Sequence, residues 1–114
     1  MDIFKLTEKE IKEWLSVEDN KPYVFTEFGA DTLSGQHSLT GQLWTEEYQK
    51  KYYEMNLSVM SDYPQIQGEL VWACADFQTS EAIFRPLGNN KGIFNRAREP
   101  KEAAFLLKKI WENK

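Results

Sequence analysis

Glu69-Leu70-Val71-Trp72-Ala73-Cys74-Ala75-Asp76-Phe77 is the stretch on which the fold turns. Its centre, Leu70 to Ala75, is apolar at every position rather than at alternate ones, so neither face is suited to water. Strands of that kind belong to parallel sheets, which are covered on both faces. An earlier run, Tyr23-Val24-Phe25-Thr26-Glu27-Phe28-Gly29, is rich in β-formers and closed by glycine, and predicts a partner strand.

Between the two, Thr45 followed by Glu46 and Glu47 starts a helix, with acids at the positive end of its dipole. Tyr48, Tyr52, Met55 and Val59 continue it at helical spacing, as core packing, until Asp62-Tyr63-Pro64 stops it. Upstream, Thr7 to Glu10 has the form of a capping box, flanked by Leu6 and Ile11 at the staple positions. That predicts a helix starting at Thr7, with Ile11, Trp14 and Leu15 on its apolar face, ended by Glu18 to Pro22. Downstream, a loop through Gly92 leads by Ile93-Phe94 to a final helix. Pro100 is expected at its first position, and Ala103, Leu107, Ile110 and Trp111 on its apolar face. Residues 30 to 44, with Gly35 and Gly41, read as a long loop of the kind that carries function.

The order is helix, strand, loop, helix, strand, loop, helix, which is one βαβ crossover with flanking helices. The fold class is therefore α/β, and because two parallel strands do not make a complete sheet it is compared with a larger architecture, as a partial (β/α)8 TIM barrel. A whole barrel takes eight strands and about 250 residues, so 114 residues supply about a quarter of one.

Composition narrows the chemistry. Eighteen acidic and 14 basic side chains give a net charge of -4, which argues against a general nucleic-acid binder. One cysteine, Cys74, excludes an internal disulfide, and with one histidine it excludes a Cys/His zinc site. Cys74 itself is expected to be packing within a buried strand. No apolar run approaches the ~20 residues that span a bilayer, and Met1 to Lys5 lacks a secretory core, so no membrane partner and a cytoplasmic setting are expected. The charge is uneven: from Arg85 onward there are 8 basic and 3 acidic residues, which suits either a wet surface or a small anion.

In barrels the chemistry gathers at the C-terminal ends of the strands, where Glu27 and Asp76 stand. A carboxylate set between Phe25 and Phe28 loses solvation, which is how an acid or nucleophile is tuned. Asp31, Ser34, His37 and Ser38 hold the residue types of a hydrolytic triad but crowd into one loop without a nucleophile elbow. Gly88-Asn89-Asn90-Lys91-Gly92 lacks the spacing of a phosphate loop, although its backbone and Lys91 suit a carboxylate. Asn56-Leu57-Ser58 matches a glycosylation sequon by chance, inside a predicted helix.

Val24-Phe25-Thr26-Glu27-Phe28-Gly29-Ala30-Asp31-Thr32 resembles the nucleophile strand of the β-glucuronidases in glycoside hydrolase family 2. Gly35 to Ser38, Leu43 to Gln49, Val71-Trp72, Ala75 to Phe77 and Asn95-Arg96 through Pro100-Lys101 extend the likeness. Asn89-Asn90-Lys91-Gly92 is similar to the Asn-x-Lys-Gly motif with which those enzymes recognise the sugar carboxylate. The resemblance covers about nine tenths of the chain, Leu6 to Trp111. It implies the last quarter of the catalytic barrel, from the sixth helix through the eighth, so that residues 1–114 are the C-terminal part of that domain.

It further implies retaining hydrolysis of β-D-glucuronides, small-molecule conjugates or oligosaccharides, with Glu27 as nucleophile and Trp72 as a platform under the sugar. Asn89 and Lys91 would bind the carboxylate, Arg85 would support their loop, and no metal or cofactor is implied. Pro86-Leu87 and Ala73-Cys74 depart from the family pattern. The Asn-Glu pair that carries the family's acid/base occurs nowhere in the 114 residues, so the isolated chain is expected to be inactive. A retaining glycosidase needs two carboxyl groups about 5 Å apart, and the resemblance supplies one. The rival expectation is a non-catalytic interaction module. In either case unpaired strand edges favour self-association or pairing with the rest of a barrel.

Overall fold

The computed structural model describes residues 2–114; Met1, the first residue of the N-terminal segment read above, lies outside them. The elements run α1 (Ile3–Val17), β1 (Tyr23–Phe28), α2 (Glu46–Ser61), β2 (Ile66–Val71) and α3 (Glu102–Glu112). β1 and β2 pair in parallel, Tyr23 opposite Ile66 and Phe28 opposite Val71, with two irregularities of register between them. This is the expected crossover: two parallel strands with flanking helices. α2 packs against α1 on one side and α3 on the other. The core is the junction of these layers, formed by Ile11, Phe28, Tyr53, Leu57, Val59, Met60, Ala103 and Leu107. No described helix is long and apolar enough to cross a membrane.

Four sequence expectations need correction. α1 starts at Ile3, capped by Asp2, whose carboxylate accepts from the Phe4 N–H at 3.1 Å. Thr7 is instead an inward-facing residue of α1 that donates its hydroxyl to Asn56 Oδ1 at 2.5 Å, tying α1 to α2. Thr45 does cap α2, accepting from Tyr48 N, but the buried stripe runs through Gln49, Tyr53, Asn56, Leu57 and Met60. Tyr48, Tyr52 and Met55 lie beside it, half-buried, whereas Val59 is buried as expected. Asn56 of the sequon is buried in this helix. Lys101, not Pro100, borders α3, whose Ala103 and Leu107 are buried while Trp111 is partly open.

The fourth correction concerns the decisive stretch. β2 ends at Val71, because the chain changes partner there. Trp72 N still donates to Phe28 O, but Ala73 N donates to Lys91 O at 3.0 Å, and Asp76 N to Phe94 O at 2.9 Å. The Trp72–Ala73 peptide, which is cis, stands at this change. Residues 73–77 thus bridge to 89–94 instead of extending the sheet. Leu70 is 57% exposed and Cys74 is exposed, so the cysteine is not the packing residue expected.

One buried ion pair closes the arrangement. Lys101 is fully buried, and its ammonium donates to Asp76 Oδ1 at 2.9 Å, Thr32 O at 2.7 Å and Asn90 O at 3.1 Å. Burial pushes the Lys101 pKa down while Asp76 draws it back up. Removing one partner of such a pair leaves the other charge buried alone, at a cost of about 3 to 5 kcal/mol. Asp76→Ala should lower stability by that order in urea unfolding at fixed chain concentration. Adding Lys101→Met should recover part of the loss; if the double variant is no more stable than Asp76→Ala, the stranded charge is not the cause.

Candidate active site

The loops that leave the two strands meet above them. Gly29 lets the chain leaving β1 press against the segment just after β2, since a Cβ there would sit 1.8 Å from Trp72 O. Gly92 lets the 88–92 loop press onto the segment after β2, since its Cβ would lie 2.2 Å from Asp76 N. Beside this junction opens a cavity of about 560 Å³ between α1, β1 and α2. Glu27, Trp72 and Lys91 line it together, with Phe25, Tyr48 and Tyr52 among the walls.

Glu27 is exposed near the end of β1. Trp72 is 40% exposed and packs edge-on against Phe77, ring centroids 5.9 Å apart. Lys91 donates from Nζ to Asp31 Oδ2 at 2.6 Å. Asn89 is buried, and its Oδ1 accepts from Lys91 N at 3.0 Å, which leaves the amide NH2 as a donor. Arg85 is half-buried in the loop before the motif and does not line this cavity. Three of the five anticipated residues are therefore brought to one cavity. Asn89 is joined to them through Lys91, and Arg85 stands apart.

The 88–92 loop is not an anion cradle of backbone donors. Asn90 N donates to Asp31 Oδ1 at 3.2 Å, Lys91 N to Asn89 Oδ1, and Gly92 N to Asp76 Oδ1 at 2.9 Å. These three N–H groups are taken by side chains and that of Asn89 by Phe77 O, so an anion is left chiefly with the Lys91 ammonium and the Asn89 amide. Asp76 is an anchor for this loop rather than a reacting acid, since one oxygen serves both Lys101 and Gly92. The residue types of a triad do not assemble either: Asp31 is engaged by Lys91, His37 by Glu47, and Ser34 accepts from Asn95.

Asp31, Lys101 and Glu46 are the residues that sequence reasoning missed. Glu46 is buried at the start of α2, where its carboxylate accepts from Gly35 N at 2.6 Å and Glu102 N at 2.8 Å, linking the 30–44 loop to α3. Lys101 did carry a signal. A cation at a helix N-terminus opposes the dipole, so it must be compensated from elsewhere.

The chain matches the family described as "Glycosyl hydrolases family 2, TIM barrel domain" over residues 2–114. A β-glucuronidase of Streptococcus agalactiae serotype V is 46% identical over 103 residues, which is 90% of this chain and 17% of that relative. The human β-glucuronidase is 45% identical over 96 residues, 81% of this chain and 15% of the relative. A crystal structure of Ruminococcus gnavus β-glucuronidase superposes with a TM-score of 0.92 at 51% identity, covering 97% of this chain and 19% of that one. The same enzyme in complex with D-glucuronic acid matches with a TM-score of 0.90 at 51% identity, over 95% of this chain and 19% of the enzyme. The chain thus spans less than a fifth of the proteins it resembles.

His37 holds the long loop to α2 through Nδ1 and Glu47 Oε1, 2.8 Å apart, and that hydrogen bond raises the pKa of the ring above its ordinary 6.5. A histidine with a raised folded pKa stabilises fully below its unfolded value, and the contribution fades as pH rises through the folded one. His37 is the only histidine, so its ring protons titrate without overlap in an NMR spectrum. The midpoint should lie above 6.5 and fall in Glu47→Gln. An unchanged midpoint in that variant would remove Glu47 as the cause.

Proposed function

Because the chain belongs to the TIM-barrel family of the family 2 glycosyl hydrolases, we propose that residues 1–114 form the C-terminal part of such a barrel and supply the nucleophile side of a β-glucuronidase site. The observation that carries this is that a carboxylate, an indole and an ammonium, those of Glu27, Trp72 and Lys91, line one cavity together. These are the three kinds of group that an acidic sugar needs: an attacking oxygen, a flat apolar surface for its ring, and a cation for its carboxylate.

In the proposed reaction a Glu27 oxygen attacks the anomeric carbon of a β-D-glucuronide, and the bond to the aglycone oxygen breaks. That oxygen takes its proton from an acid on the opposite side of the bond. The acid, returned as a base, then draws a proton from water as the water attacks the anomeric carbon and frees Glu27. Trp72 lies beneath the ring, Lys91 and Asn89 hold the carboxylate, and Arg85 supports their loop from outside the cavity. Glu10 also lines the cavity, from α1, but it lies outside the motifs that resemble the family, and we assign it no part in the chemistry. The opposing acid comes from the rest of the barrel, so the chain alone is inactive.

Two measurements test these statements. Grafted in place of the matching segment of the Ruminococcus gnavus enzyme, the chain should be labelled at Glu27 by a 2-fluoro glucuronide, as read by peptide mass spectrometry. Glu27→Gln should abolish turnover without preventing assembly. A label elsewhere, or clear hydrolysis by the lone chain, would sink the assignment. Separately, Val24, Leu70 and Trp14 leave apolar surface open on and beside a two-stranded sheet, so we propose that the chain self-associates or pairs with the rest of a barrel. Light scattering should show oligomers; a monodisperse monomer contradicts this.

A further inference from the structure

We propose that Asp31 is the positioning residue of the uronate site, the group that fixes where the Lys91 ammonium meets the sugar carboxylate. This rests on the carboxylate role given to Lys91 above. Asp31 lies in the loop leaving β1, four residues after Glu27, and Lys91 lies 60 residues further on in the loop that packs over the segment after β2. One carboxylate joins them: Oδ2 accepts from Lys91 Nζ at 2.6 Å, and Oδ1 accepts from the neighbouring Asn90 N–H at 3.2 Å. The same side chain therefore holds both the backbone that carries Lys91 and the far end of its flexible stem.

Two lysines serve this loop cluster, and their surroundings separate their roles. Lys101 is fully buried and spends its donors on Thr32 O, Asp76 and Asn90 O, so it has none for a ligand. Lys91 has one protein acceptor and its side chain is 23% exposed along the cavity that holds Glu27. An ammonium has three donors, so two remain for an incoming carboxylate. A free lysine side chain would lose much rotamer freedom on meeting that carboxylate; with Asp31 in place most of the loss has occurred on folding.

Asp31 also bears a negative charge beside the place assigned to the ligand's. If its chief effect were repulsion, removing it would tighten binding of anionic substrates. If it positions Lys91, removing it weakens their binding and leaves neutral ones alone. The test is a double-mutant cycle in the Ruminococcus gnavus graft, comparing an aryl glucuronide with the corresponding aryl glucoside. Asp31→Ala should raise KM for the glucuronide by about tenfold with kcat little changed, leave kcat/KM for the glucoside unaltered, and add nothing to Lys91→Ala. Asp31→Asn, which keeps one acceptor and the shape, should fall between wild type and Asp31→Ala.

Equal losses on both substrates, additivity with Lys91→Ala, or a lowered KM for the glucuronide would each overturn the positioning role. Those results differ from failure of the underlying site, in which Lys91→Ala itself does not discriminate between the substrates. The 114-residue chain gives an independent reading that needs no turnover. Acylation of its lysines, followed by peptide mass spectrometry, should be several-fold faster at Lys91 in Asp31→Ala and Asp31→Asn, with Lys101 unreactive throughout. An unchanged rate at Lys91 means that Asp31 does not hold it in solution, and overturns the proposal.

Discussion

A lysine buried at the start of a helix organises everything above the sheet. Lys101 stands at the N-terminus of α3, where the backbone N–H groups already make a positive end, and its own side chain does not cap that terminus. A cation is unfavourable there unless acceptors surround it. The chain supplies three, from the loop after β1, the segment after β2 and the 88–92 loop. Desolvating an ammonium costs several kcal/mol, so this contact is better understood as fixing one arrangement of loops than as a source of net stability. Glu46 acts as its counterpart by placing an acid against the N–H of Glu102, so the start of α3 has an anion at its backbone and a cation held inward.

The constraint then travels to the site. Asp76 is held by Lys101, and through the same oxygen it receives Gly92 N, so the loop bearing Lys91 is set by the pair that anchors α3. With the Asn90, Lys91 and Gly92 N–H groups all occupied, the loop has little backbone polarity left to offer. Its chemistry is confined to side chains. Under the proposed function, an acidic sugar would be selected by the position of one ammonium rather than by a diffuse cradle. The net cation excess from Arg85 onward is misleading in this respect, because its most consequential member, Lys101, is sealed from ligands.

How far the sequence could be read followed the range of the interactions. Local signals worked: Thr45 caps α2, the Pro64 region ends it, and the β-rich run 23–28 is a strand. Thr7 misled because a capping-box pattern and an inward hydroxyl look alike until Asn56, 49 residues away, is known to be opposite. The apolar run from Leu70 reads as a buried strand, yet β2 ends at Val71, and beyond Trp72 the chain is partnered by a loop whose own sequence has no strand character. The Glu27, Trp72 and Lys91 grouping is legible only through the resemblance of their motifs to those of a family, since nothing in spacing brings position 27 to position 91. In the sequence Asp31 stands out only as one of several polar residues crowded into a loop, because its use depends on a contact 60 residues distant.

The exposed apolar residues carry the remaining argument. Val24 and Leu70 lie on the two strands, and Trp14 faces β1 across a second groove that also contains Glu27. A two-stranded parallel sheet is the least self-sufficient of β structures, because its strands are built to be covered on both faces and flanked on both edges. The helices here cover one face. The other face and both edges keep their apolar side chains in the open, next to the groove where the carboxylate stands. A surface that completed the sheet would therefore also enclose Glu27, excluding water from the place where a nucleophile gains most from a drier setting. Under the proposed function, folding and chemistry make the same demand on this chain: a neighbour that buried Val24 and Leu70 would also turn an open groove into a site.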